Sequence, residues 1–113
     1  MRWWDLTQIE APAGTRDPIV LATDDAARAV VISLAPGQEL GDHEVNERAW
    51  ITVVEGNVHV TTDGEEQDCS AGTLMTFEPH ERRTIRSDGG ARILMLLAPW
   101  PGAGHFRGHD RSV

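Results

Sequence analysis

The sequence predicts an all-β fold, a small antiparallel sandwich or barrel, and three observations predict it. Glycine and proline interrupt the chain at short intervals, from Pro12 to Gly104. The segments between them are brief and rich in Val, Ile, Leu and Thr, residues that fit a pleated, half-buried surface. No segment carries an apolar stripe at helical spacing long enough to bury a helix face. The DDAAR stretch at 24–28 spells at most one helical turn, or equally a turn between strands. Turn signals at this rhythm belong to an all-β sandwich or barrel rather than to strands alternating with helices.

Each element follows in order. A first strand is expected at 19–21, after the Pro12 to Pro18 break, and a second at 29–34, ended by Pro36-Gly37. Residues 49–54 make a third, closed by Glu55-Gly56, and 58–62 a fourth. In the fourth, Val58 and Val60 flank His59, so strict alternation turns the valines to the core and His59 outward. Asp63-Gly64 then marks a hairpin. Strands at 73–77 and 83–86 flank the Glu78-Pro79 turn, and a last one at 91–97 follows Gly89-Gly90. There Leu94 and Leu96 stand among Ile93, Met95 and Leu97 without polar alternation, which predicts cover on both faces. The whole of 1–113 reads as one domain: an arm at 1–18, a barrel at about 19–98, and a polar, Gly-rich tail at 102–113.

Composition narrows the function classes. Ten Lys+Arg against eighteen Asp+Glu leave a net charge of -8, which opposes nucleic acid and anionic membrane as partners. The longest apolar run is short and broken by Pro99, so no span is expected, and no basic, then apolar, leader opens the chain. The single cysteine, Cys69, has no partner for an internal disulfide, and a reducing cytoplasm is the expected compartment. Nothing beside Cys69 lowers its pKa, so it is not read as a nucleophile. All ten basic residues are arginines; the absence of lysine excludes Schiff-base chemistry on this chain.

One pattern carries a family. Gly37, five residues, His43, and later Gly56 fall in register with the first cupin signature, which runs Gly-x5-His-x-His-x3–4-Glu-x6-Gly. Gly72 to Ser87 matches the spacing of the second signature, with Pro79 one place late. Over about residues 30–98 the chain therefore resembles a small single-domain bacterial cupin. The resemblance implies a cupin-type antiparallel β-barrel, or jelly roll, with a pocket at its mouth.

In metal-binding cupins the two histidines and the glutamate of the first motif and the histidine of the second converge on one ion. Here those positions hold His43, Val45, Ala49 and Arg83. Valine and alanine offer no donor, and an arginine repels a cation, so on strict register the metal site is degenerate. Two readings restore a role to the pocket. In one, a shifted set of His43 with Glu47 (or Asn46) and His80, which sits in the 78–81 turn, holds a divalent metal. In the other, Arg83 replaces the metal as the pocket's positive charge and holds an anionic ligand by its planar fork. The second explains the arginine and the lost ligands together. Alternation turns one of Arg82 and Arg83 inward, family register selects Arg83, and Glu47 is a candidate counter-ion.

The expected pocket therefore comprises His43, Val45, Glu47, Trp50, Phe77 and Arg83, with His43 able to titrate near neutrality. The expected function is binding of a small anionic molecule without a cofactor. A metal-dependent cupin enzyme of dioxygenase or isomerase type is the alternative, and a dimeric scaffold with a relic pocket is a third. Adjacent Trp3 and Trp4 call for cover by the barrel or by a second subunit, and the resemblance implies a homodimer. His105 and His109 fall in the tail.

Overall fold

The structure, a computed structural model, describes residues 1–10, 18–23, 26–43 and 45–101. It contains eight strands: β1 (Ile19–Thr23), β2 (Arg28–Leu34), β3 (Gln38–His43), β4 (Arg48–Thr62), β5 (Glu65–Ser70), β6 (Leu74–Phe77), β7 (Arg83–Ser87) and β8 (Ala91–Ala98). All the pairings are antiparallel, and they curl into the barrel that the turn rhythm predicts.

Strand β4 organises the barrel. Its first half pairs with β8 on one side and β6 on the other; its second half pairs with β7 and β5. One layer is therefore β1-β2-β8-β4-β6 and the other β5-β4-β7-β3, with β4 common to both. The Glu55-Gly56 break expected from the sequence is in fact the corner where one 15-residue strand passes between layers. A register shift lies between Val53 and Glu55. Gly56 adopts a left-handed φ of 77° there. A Cβ at that position would meet the Gly90 carbonyl oxygen at 2.1 Å, so the corner closes only on glycine.

Two strands escaped the sequence reading, QELGDH at β3 and EEQDCS at β5. Neither carries a run of β-branched residues; backbone pairing to β7 and β4 makes them strands, and charge blunts these edges. The core is built from inward positions of both layers, among them Ile32, Leu34, Ile51, Val53, Val58, Val60, Ile85, Ile93, Met95 and Leu97. Each such buried aliphatic side chain contributes about 1.5–3 kcal/mol. Val58 and Val60 are buried and His59 lies between them on the outer face, as alternation requires. In β8 the expectation of two covered faces is corrected: Ala91, Ile93, Met95 and Leu97 are buried, but Leu96 is 39% exposed. An all-apolar strand can still alternate in burial when only its inner row meets the second layer.

The ends of the chain attach at separate points. Arg92 Nη1 donates to the Leu6 carbonyl at 2.9 Å, placing the start of the arm beside β8. Trp3 remains 74% exposed and is not covered by the barrel. Trp100 is buried in the core, its N–H donating to the Ala26 carbonyl at 3.2 Å and the Arg28 guanidinium lying 4.6 Å from its ring. The 102–113 tail, with His105 and His109, and part of the 24–28 stretch lie outside the described residues. Among the described residues no helix is long and apolar enough to cross a membrane.

Candidate functional site

Alternation along β7 turns Arg83, Ile85 and Ser87 inward, and Arg82 stays exposed. The chain thus drives a guanidinium into the barrel interior, where Arg83 is 2% exposed. Its guanidinium carbon lies 5.0 Å from the centre of the Phe77 ring, a cation–π contact, and Nη2 lies 4.0 Å from the Met95 sulfur. Both neighbours orient the cation without neutralising it. Nε and Nη1 are buried with no hydrogen-bond partner among the described residues. Burial lowers the Arg83 pKa, and the Glu81 carboxylate acts in the opposite sense.

The segment before and into β4 supplies the rest of the interior. Val45, Glu47 and Ala49 are all buried, at 8%, 1% and 0% exposure, so this stretch faces inward at every second residue. Ala49 lies opposite Phe77 on β6, whose ring is buried. The His43 backbone lies opposite Arg83; its side chain is outside the described part. Glu47 is thus inside the barrel, as expected, but the carboxylate that bears on Arg83 is Glu81.

Trp50 is the expected pocket member that the structure turns away. Trp50 is 40% exposed and lies opposite Leu96 and Thr76 on the outer face of its layer, not in the pocket. The reason is parity: with Ala49 and Ile51 inward, residue 50 must point outward. His80 is exposed, in a left-handed backbone conformation (φ 66°), its N–H donating to the Val45 carbonyl at 2.8 Å. That turn ties the 45–47 segment to the start of β7 through the backbone and leaves His80 exposed. Among the described residues no group of three His, Cys, Asp or Glu side chains is placed to hold a metal ion. Val45 and Ala49 present no donor atoms, and Arg83 brings a cation to the remaining corner, so the chemistry of these positions does not fit a metal.

Space for a ligand lies beside Arg83. A cleft of about 550 Å³ is lined by Thr61, Thr62, Asp63, His80, Glu81, Arg82, Arg83 and Thr84, where the end of β4 meets the start of β7. A recess of about 230 Å³ opens next to Phe77, between Val60, Met75 and Glu81. A larger cleft of about 620 Å³ includes His59, Asp68, Arg86 and Asp88, but its charged groups pair with one another. The cleft at Arg83 is therefore the stronger candidate, since it is lined by a residue whose Nε and Nη1 lack hydrogen-bond partners among the described residues. Glu81 and Met95 escaped the sequence reading. Spacing of two residues from Arg83 could have signalled Glu81, whereas Met95 meets Arg83 only through the tertiary fold. Cys69 is buried against the Met75 sulfur at 3.7 Å, and burial together with Asp68 pushes its thiol pKa up, which disfavours the reactive thiolate.

Comparison with known proteins is consistent with this geometry. The family model described as "Cupin domain" matches residues 30–98. Among solved structures, an uncharacterized conserved protein with a double-stranded beta-helix domain from Klebsiella pneumoniae aligns with a TM-score of 0.78 at 20% identity, covering 91% of this chain and 94% of its own. An RmlC-like cupin from Shewanella frigidimarina aligns at 0.74 and 22% identity, covering 89% and 93%. A protein of unknown function from Rhizobium leguminosarum aligns at 0.74 and 26% identity, covering 88% and 97%. No curated protein matches the sequence.

Proposed function

The chain belongs to the cupin domain family, and from that premise we propose that it binds a small anionic molecule at Arg83 rather than performing metal chemistry. One observation carries the reading: a guanidinium 2% exposed, with Nε and Nη1 lacking hydrogen-bond partners among the described residues. Desolvating such an ion costs several kcal/mol, and that cost is offset only when an opposite charge arrives with acceptors. A carboxylate or phosphate supplies both. Thr61, Thr62 and Thr84 bring hydroxyl donors to the same cleft. Binding needs no cofactor, and the donor chemistry at residues 45, 49 and 83 gives a metal no support. Glu81 limits the positive field, which favours a ligand of low charge over a polyanion.

A second copy of the chain is the partner we propose for the outer face of the β1-β2-β8-β4-β6 layer. Trp50, Leu74 and Leu96 are all exposed there, and Trp50 lies opposite Leu96. A buried, unpaired cysteine also suits the reducing cytoplasm that we take as the compartment.

Calorimetric titration of tag-free protein with small carboxylates and sugar phosphates tests the ligand reading. At least one member of the panel binds the native chain, and Arg83→Met weakens it roughly tenfold or more. If no member binds, or the substitution leaves affinity unchanged, the proposal fails. Elemental analysis finding about one divalent metal per chain would instead favour the shifted set of His43, Glu47 and His80.

A further inference from the structure

We infer that His59 is a pH-sensitive latch that pins β5 to β4 and thereby controls access to the Arg83 cleft; the control of access, though not the latch itself, rests on the ligand reading above. Strand β5 needs such a device. Among the described residues it pairs with β4 alone, and of its six side chains only Cys69 is buried. Its first four residues therefore have backbone pairing but no apolar anchor.

His59 supplies the anchor from the outer face of β4. Its Nδ1 lies 2.6 Å from Asp68 Oδ1 and its Nε2 lies 2.8 Å from Glu66 Oε1. An ionised carboxylate only accepts hydrogen bonds, so both contacts require the ring to donate from both nitrogens. Only the imidazolium does this. A neutral ring keeps one N–H and turns a lone pair toward the other carboxylate at under 3 Å, so one of the two ties must open.

The remaining charges around the ring act as follows. Burial disfavours the His59 charge, as does, to a lesser degree, Arg86, which lies directly opposite it on β7. Arg86 is itself paired with Asp88 at 3.1 Å, and Glu39 of β3 lies opposite it on the other side. Asp68 and then Glu66 outweigh these, and the His59 pKa is raised above its ordinary value. Since the folded value is the higher one, the latch is fully engaged below the ordinary imidazole value of about 6.5 and is lost as pH climbs through the raised folded value.

The latch reaches the ligand site through the hairpin tip. Thr61, Thr62 and Asp63, immediately beyond His59, form one wall of the Arg83 cleft. Thr62 lies opposite Glu65 on one side and opposite Arg83 on the other. Freeing β5 on one side of β4 loosens the stretch of β4 that pairs with Arg83 on the other.

Hydrogen–deuterium exchange on the full chain at pH 5.5 and pH 9, expressed as protection factors, reads the latch directly. Amides 65–68 are several-fold better protected at the lower pH in the native chain, and His59→Gln removes that difference while leaving the core amides of β8 unchanged. Nitrogen-detected NMR finds both His59 nitrogens protonated at pH 6.5, and Asp68→Asn with Glu66→Gln returns the ring to ordinary titration. Equal pH dependence in His59→Gln, or His59 titrating at or below its ordinary value in the native chain, overturns the latch. Sulfate, whose charge is constant over this range, probes access by stopped-flow binding. Association that quickens with pH in the native chain and is fast throughout in His59→Gln supports control of access. A working latch with pH-independent sulfate association overturns that control, and a working latch with no sulfate binding at any pH overturns the Arg83 reading along with it.

Discussion

Arg83 occupies the corner where a metal-binding barrel of this family would present a histidine, and its surroundings decide what the exchange means. Phe77 and Met95 contact the guanidinium but leave two of its nitrogens without hydrogen-bond partners among the described residues. Replacing a buried, uncompensated charge with a well-packed apolar side chain removes a desolvation cost. Arg83→Met is therefore expected to raise stability by about 1–3 kcal/mol, read as an upward shift in thermal midpoint, even as it weakens ligand binding. A destabilised Arg83→Met would mean that the arginine is a structural element instead. Cys69 provides a second residue-scale expectation. With its thiol buried and its pKa pushed up, iodoacetamide labels it far more slowly in the native chain at pH 7.5 than in denaturant. Rapid native labelling would show that β5 opens freely.

At the scale of elements, β4 joins the two layers, and the corner at Gly56 makes that possible. A side chain there meets both an unfavourable left-handed φ and the Gly90 carbonyl oxygen at 2.1 Å. Gly56→Ala is expected to cost about 3 kcal/mol or more, because strain and a backbone clash add at one position. Urea denaturation measures it; a loss below about 1 kcal/mol would mean that the corner relaxes. The core half of β4 behaves differently. Ile51 is 0% exposed between the inward rows of β6 and β8, and Ile51→Ala is expected to cost about 2–5 kcal/mol through the cavity it leaves. Edge strands contribute less to the core. EEQDCS at β5 buries one side chain, which is why its attachment depends on His59.

For the whole molecule, the distribution of apolar surface matters more than the net charge of -8. The outer face of one layer exposes Trp50, Leu74 and Leu96, while that of the other carries the pairs His59–Asp68 and Arg86–Asp88. Sedimentation or light scattering at micromolar concentration is expected to find a dimer. Trp50→Ser with Leu96→Ser shifts it toward monomer and leaves the far-ultraviolet circular dichroism unchanged. A native chain that stays monomeric at high concentration would remove the second copy as the occupant of that face.

Turn rhythm, alternation in 58–62 and the absence of a helical stripe were enough to determine an all-β chain, because those signals are local. Motif spacing was enough to place Gly37, Gly56, Gly72 and Arg83, since glycines mark corners and β7 alternates strictly. The sequence could not show that β3 and β5 are strands, because their pairing partners lie far along the chain and supply the hydrogen bonds that propensity does not. Nor could it show that Trp50 points away from the pocket until the parity of β4 was set by its partners on both sides. That Arg83 meets Phe77 and Met95 is likewise a product of barrel closure, which brings residues of β6, β7 and β8 to one interior. Local chemistry chose the elements, and the closing of two layers around β4 chose their neighbours, because register decides which face each side chain takes and layer packing decides what it meets across the core.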